Sequence, residues 1–225
     1  MSVRSTTPGE LVLLEKGDTG DATAYYATYR YNPRVEDWLL VKTVEYESMK
    51  SGAGWEPPRI DLAYHDGVLR LDGSRIEKAQ AATEAASERR TRLAGELAEL
   101  HDRLTALHRA QKLATLPPST SEDTWLAELV HNVPVTQETV EAYNNIGYFL
   151  LLAGNSVARC AGLYLLEKVV QARPDRTPAY LNLADGYFEM GSSERARAAY
   201  SRYVALMKDA GRTSKIPKRA IDRAR

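Results

Sequence analysis

The chain has 225 residues, with 30 basic and 30 acidic side chains and a formal net charge of zero. That length allows one large domain or two small ones, and the balanced charge argues against a protein that works mainly by holding nucleic acid in a basic field. Hydrophobic residues make up 44% and charged residues 27%, a globular composition, and the longest wholly apolar run, the five residues from Phe149 to Ala153, is far below the ~20 of a membrane span.

The opening residues Met1 to Pro8 carry no apolar signal-peptide core, so a cytoplasmic protein is expected. A single cysteine, Cys160, rules out an internal disulfide and a thiolate metal cluster. From Leu11 to Leu71 the pattern is that of strands. Tyr25, Ala27, Tyr29 and Tyr31 alternate with Tyr26, Thr28 and Arg30, a period of two in a β-favouring stretch. Asn32-Pro33-Arg34 breaks the run. Trp38 to Tyr46 resumes it, with Trp38, Leu40, Val44 and Tyr46 expected on one face. A loop dense in glycine and proline, Ser51 to Pro58, follows. Ile60, Leu62 and Tyr64 then lead to Asp66-Gly67, which predicts a tight hairpin before Val68 to Leu71. With Leu11 to Leu14 as a further strand, residues 1–73 are expected to form an antiparallel sheet of four or five strands. One face is buried and the other wet or covered.

At Ser74 the period changes. Ser74 and Glu77 form an S-x-x-E capping box, and Arg75 to Leu116 contains no proline and is rich in good helix formers. Leu93, Leu97, Leu100, Leu104 and Leu107 recur at spacings of 4, 3, 4 and 3, a coiled-coil seam. Residues 74–118 therefore read as one long connecting helix of about 60 Å and a linker ending in Leu116-Pro117-Pro118-Ser119. The seam has three possible uses: packing on the chain's own helices, self-association, or binding a partner helix. Residues 119–225 are helical in pattern, punctuated at Pro134, Gly154, Pro174, Gly191 and Gly211. Six short antiparallel helices are predicted, near 121–132, 137–153, 157–172, 178–190, 194–209 and 216–224. Fold class is thus α+β.

Within the last third, Ala142 to Phe149 aligns with Ala179 to Gly186, 37 residues later, an offset typical of helical solenoids. Tyr180, Leu183, Ala184 and Tyr187, followed by Ala196 and Tyr200, fall at spacings that resemble the tetratricopeptide repeat. Tyr143, Ile146, Gly147 and Leu150 make a first copy, closed by Pro174. The resemblance covers residues 137–209, about 70 of 225. It departs from the pattern at Tyr203, at Lys208 and in about three extra residues after Gly154. Two copies need caps, for which helix 121–132 and the segment from Ile216 to Arg225 serve. The resemblance implies a groove lined by Asn144, Tyr148, Leu151 and Leu152 from the first copy. The second copy would add Leu181, Asn182, Asp185, Phe188 and Glu189. Asn182 falls where family members hold a ligand's backbone, whereas the family's carboxylate-clamping positions are not basic here.

Chemistry-bearing patterns are sparse. His65, His101, His108 and His131 form no metal-ligand spacing: His101 and His108 share a helix face but are about 10 Å apart along it. Asp18-Thr19-Gly20 matches the triplet of aspartic proteases, but the second copy that their shared-proton chemistry requires is missing. Cys160 reads as a buried thiol with no predictable basic partner. No glycine-rich phosphate loop occurs. The tail from Lys208 to Arg225 holds seven basic and two acidic residues, a solvated helix face or a contact for an acidic partner.

These features predict a non-catalytic protein, without metal or cofactor, that binds a protein partner through the groove and neither nucleic acid nor a membrane. Two alternatives stand beside it. One is a bacterial immunity protein or enzyme inhibitor that occludes a toxin's active site, an origin to which the excess of arginine (21) over lysine (9) points. The other is an enzyme or small-ligand binder with its site around Asp18, Asp21, His65 and Asp66.

Overall fold

The structure, a computed structural model, describes residues 2–4, 8–16, 22–48, 50–51, 54–55, 58–65, 69–75, 85–116 and 122–225. The architecture is α+β. A five-stranded antiparallel sheet at the N-terminus is followed by seven α-helices among the described residues. Two compact units divide the chain. Residues 1–49 and 58–91 form the first, and 50–57 with 92–225 form the second.

In the first unit the strands are β1 (Ser2–Arg4), β2 (Glu10–Lys16), β3 (Ala22–Asn32), β4 (Asp37–Ser48) and β7 (Arg59–Tyr64), in the order β1-β2-β3-β4-β7. The short pair β5 (Lys50–Ser51) and β6 (Gly54–Trp55) lies within the segment expected to be loop. The β3–β4 turn forms at Asn32-Pro33-Arg34 as its residues dictate. The Asn32 side-chain oxygen accepts from the Arg34 amide at 2.9 Å, and Glu36 takes a left-handed φ of 51°.

One strand departs from simple alternation. Thr28 pairs with Lys42 but Tyr29 pairs with Leu40, so Val41 is an extra residue in β4, a β-bulge. The bulge switches which face each side chain takes. Trp38 and Leu40 join Ala27, Tyr29, Leu11, Leu13 and Leu69 in one apolar cluster. Val44 and Tyr46 turn to the opposite face, where Val44 and Leu14 are buried. The expectation of a single face for Trp38, Leu40, Val44 and Tyr46 is thereby corrected. That second face is covered rather than bare: the Arg89 guanidinium lies 3.6 Å from the centre of the Tyr64 ring. Of the tyrosines on β3, Tyr29 is buried, Tyr26 half-buried, and Tyr25 and Tyr31 exposed.

Asp66-Gly67 lies outside the described residues, but its flanks do not pair with each other. The His65 amide donates to Val41 and the Leu40 amide to Leu69, so both flanks line β4 in succession. The expectation that the described flanks pair with each other is thereby corrected: each pairs with β4. Asp18 and Asp21 also lie outside the described residues, as does Glu77 of the expected capping box.

The helices are α1 (Ala86–Arg109), α2 (Glu122–Asn132), α3 (Val140–Leu152), α4 (Ser156–Ala172), α5 (Thr177–Glu189), α6 (Ser193–Asp209) and α7 (Lys218–Arg223). The helix expected to run to Leu116 stops seven residues earlier. Gln111 takes a left-handed φ of 57° and the Lys112 amide donates to the Leu107 carbonyl at 2.8 Å, a Schellman closure without glycine. A 3-10 turn at Leu113–Thr115 follows, with Leu113 buried. Leu93, Leu97 and Leu104 of the leucine seam are buried within the chain.

Five of the module's helices build two helical hairpins and a cap. α3 packs on α4, α5 on α6, α4 on α5, and α7 on α6. Glycines in left-handed conformation end α3 and α5 at Gly154 (φ 85°) and Gly191 (φ 78°), again 37 residues apart. Between α3 and α4 the backbones touch. An added Cβ on Gly147 would lie 2.8 Å from the Leu166 side chain, and one on Gly162 would lie 2.7 Å from the Gly147 carbonyl oxygen. The corresponding pair in the second hairpin is Ala184 and Ala199, both buried.

Candidate protein-binding face

Because each hairpin turn reverses the chain, α3 and α5 run in the same direction and present neighbouring faces. Six of the nine side chains expected on this face fall into three groups; of the rest, Leu181 and Asn182 are half-buried and Leu152 is exposed. Asn144 and Leu151 are buried. Asn144 bonds to Asn145 and accepts at 3.5 Å from the Asn182 amide nitrogen. The Leu151 methyls stand 3.0 Å from where a Cβ on Gly186 would lie, so Leu151 fills the seam between α3 and α5. Both residues hold the two repeats together rather than facing outward.

Tyr148, half-buried, forms the second group with α1. The His108 ring lies 4.8 Å from the Phe149 ring and 6.1 Å, edge-on, from Tyr148, and His101 Nε2 is 3.3 Å from the Asn145 side-chain amide. α1 therefore lies over the outer side of α3. His101, half-buried, and His108, which stays exposed, make these contacts. Arg92 with Glu128 at 3.6 Å and the Trp125 indole donating to Glu96 at 2.6 Å tie α1 to α2.

Asp185, Phe188 and Glu189 form the third group. Asp185 is clamped from two helices. It receives Arg219 through Nε at 3.2 Å and Nη2 at 2.9 Å, and the Tyr200 hydroxyl at 2.5 Å, with Arg223 3.8 Å away. Burial, with the Asp185 bond second, pushes the Tyr200 hydroxyl up to about 12. The Arg223 guanidinium stacks 3.5 Å over the Phe188 ring. Phe188 nonetheless keeps 47% of its surface exposed, and Leu152 at the equivalent end of α3 keeps 44%. Glu189 pairs with Arg159 at 3.6 Å. The basic tail was legible from its charge, but its attachment to Asp185 was not, because no local spacing links residues 34 apart.

Of the residues named for the enzyme alternative, His65 is described, and its Nε2 bonds to the Thr43 hydroxyl at 2.9 Å. Among the described residues no group of three or more His, Cys, Asp or Glu could hold a metal ion, and no described helix is long and apolar enough to cross a membrane. Cys160 is half-buried rather than buried. No protein-family model matches the sequence, and a comparison with curated proteins gives no match.

Proposed function

We propose that this chain is a non-catalytic binding protein that holds a protein partner on the α3–α5 face of its helical module. The observation that carries the reading is the exposure of Leu152 and Phe188 at the like ends of two adjacent helices, in a module whose other large apolar side chains are mostly buried. Exposed aromatic and aliphatic anchors on a rigid, internally bonded support are what protein recognition uses. Asn182, half-buried and bonded at 3.5 Å to Asn144, would orient the partner.

The test is a pull-down with tagged protein beside a Leu152→Ala/Phe188→Ala variant shown by circular dichroism to be folded. A partner captured by the parent and lost by the variant supports this face. A partner retained by the variant, or no partner at all, counts against it.

A further inference from the structure

A different face carries a second binding surface. Between α6 and α7 runs an open groove of about 540 Å³ lined by Val204, Ala205, Lys208 and Ile221, with Ser201 the first residue of α6 to border it. Ile221 is 38% exposed, although α7 is otherwise fastened to the module through Asp185. The groove is continuous with an exposed line of α6 that has Glu194 at one end and Lys208 at the other. Neither of these side chains makes an ion pair among the described residues.

We propose that this groove is the contact between two copies of the chain, packed antiparallel through α6 about a two-fold axis at Ser201. The spacing decides the occupant. Glu194 is seven residues before Ser201 and Lys208 seven after it, so an antiparallel second helix centred on Ser201 places Glu194 opposite Lys208 of the second copy, and Lys208 opposite its Glu194. Each charge thus meets its opposite twice, as an isologous contact requires. A parallel arrangement would place like charges together, which is unfavourable. At the axis Ser201 is small enough for close helix approach, and in this register Ala198 of one copy faces Val204 of the other, beside the apolar Ile221. The acid–base polarity also suits each helix dipole, with Glu194 in the first turn of α6 and Lys208 in the last. This contact is independent of the α3–α5 face.

The experiment is sedimentation equilibrium of the full chain over a range of loading concentrations, with Glu194→Lys, Lys208→Glu and the double variant. All substituted side chains are exposed, and circular dichroism checks their folding. The expected result is a monomer–dimer equilibrium weakened about tenfold by either single reversal, since each turns two attractions into two repulsions. The double variant should restore it, because the pairing is then merely inverted. A chain that is monomeric throughout overturns the proposal. So does a dimer indifferent to both single reversals, and so does a double variant no tighter than the singles.

Discussion

The carbonyl oxygen of Gly147 stands 2.7 Å from the point where a Cβ on Gly162 would lie. The helices α3 and α4 therefore meet backbone to backbone, and the obstacle to a side chain at 162 is a rigid peptide oxygen rather than a flexible neighbour. Gly162→Ala should destabilise the helical module by about 1–3 kcal/mol, the usual cost of overpacking, despite the ~1 kcal/mol that alanine gains over glycine in a helix. Gly95→Ala is the control. Nothing lies within 4 Å of its added Cβ in the middle of α1, so the propensity gain is unopposed and the variant should be more stable. Thermal unfolding followed by circular dichroism compares the two. Equal behaviour of the two variants would mean that the close approach does not matter.

What the sequence revealed and what it hid follow from the range of the interactions. The helices after Pro118, the break at Asn32-Pro33-Arg34 and the small residue at Gly147 are written in local periodicity and local chemistry, and each stands where the pattern puts it. Val41 was hidden because a bulge is a property of the pairing between β3 and β4, and parity along one strand gives no sign of it. Gln111 was hidden because the α1 stop uses no glycine. On the candidate face, Phe188 was legible as an exposed aromatic. The inward roles of Asn144 and Leu151 depend on how α5 seats against α3, which periodicity along either helix leaves open.

Tyr143 is fully buried, and its hydroxyl donates to the Val133 carbonyl at 2.6 Å, pinning the loop after α2 to α3. Burial holds the hydroxyl protonated well above its ordinary range, so it remains a donor at any working pH. Tyr143→Phe keeps the ring and leaves a buried carbonyl unsatisfied, which costs about 1–3 kcal/mol. Chemical denaturation should show the midpoint falling with the slope unchanged. No change in midpoint would show that water replaces the bond.

Asp185 is the common acceptor for α7. Asp185→Ala removes the two-pronged bond from Arg219 and the bond from Tyr200 together, so residues 216–224 lose their Arg219 anchor and keep the Arg223 stack on Phe188, its bond to the Tyr200 hydroxyl, the Ser201 bond to the Ala224 carbonyl and the packing of Ile216 and Ala220. Charge-assisted pairs of this geometry contribute about 1–3 kcal/mol, which corresponds to amide exchange in α7 about 5- to 150-fold faster, with α3 and α4 unaffected. Exchange measured by mass spectrometry decides the point. An α7 as protected as in the parent would mean that the ion pairs are incidental to its docking.

Glu167 supplies a pH dependence. It is buried in α4, accepts from the Tyr187 hydroxyl, and lies 3.5 Å from Arg195, which is itself partly exposed. Desolvation is the dominant influence and raises its pKa above the ordinary 4.5, against smaller lowering effects of Tyr187 and Arg195. An acid whose folded value is raised favours the native state while protonated. That contribution is fully present below the unfolded value, near 4.5, and is lost as pH rises through the folded one. Glu167→Gln keeps the shape and an acceptor for Tyr187 but cannot ionise, so it should lack this component. The melting temperature of the parent should therefore fall relative to Glu167→Gln as pH rises from 4 toward neutrality. Melting curves of both proteins across that range test the sign. A parent that gains on the variant with rising pH would show that Arg195 and Tyr187 together outweigh burial.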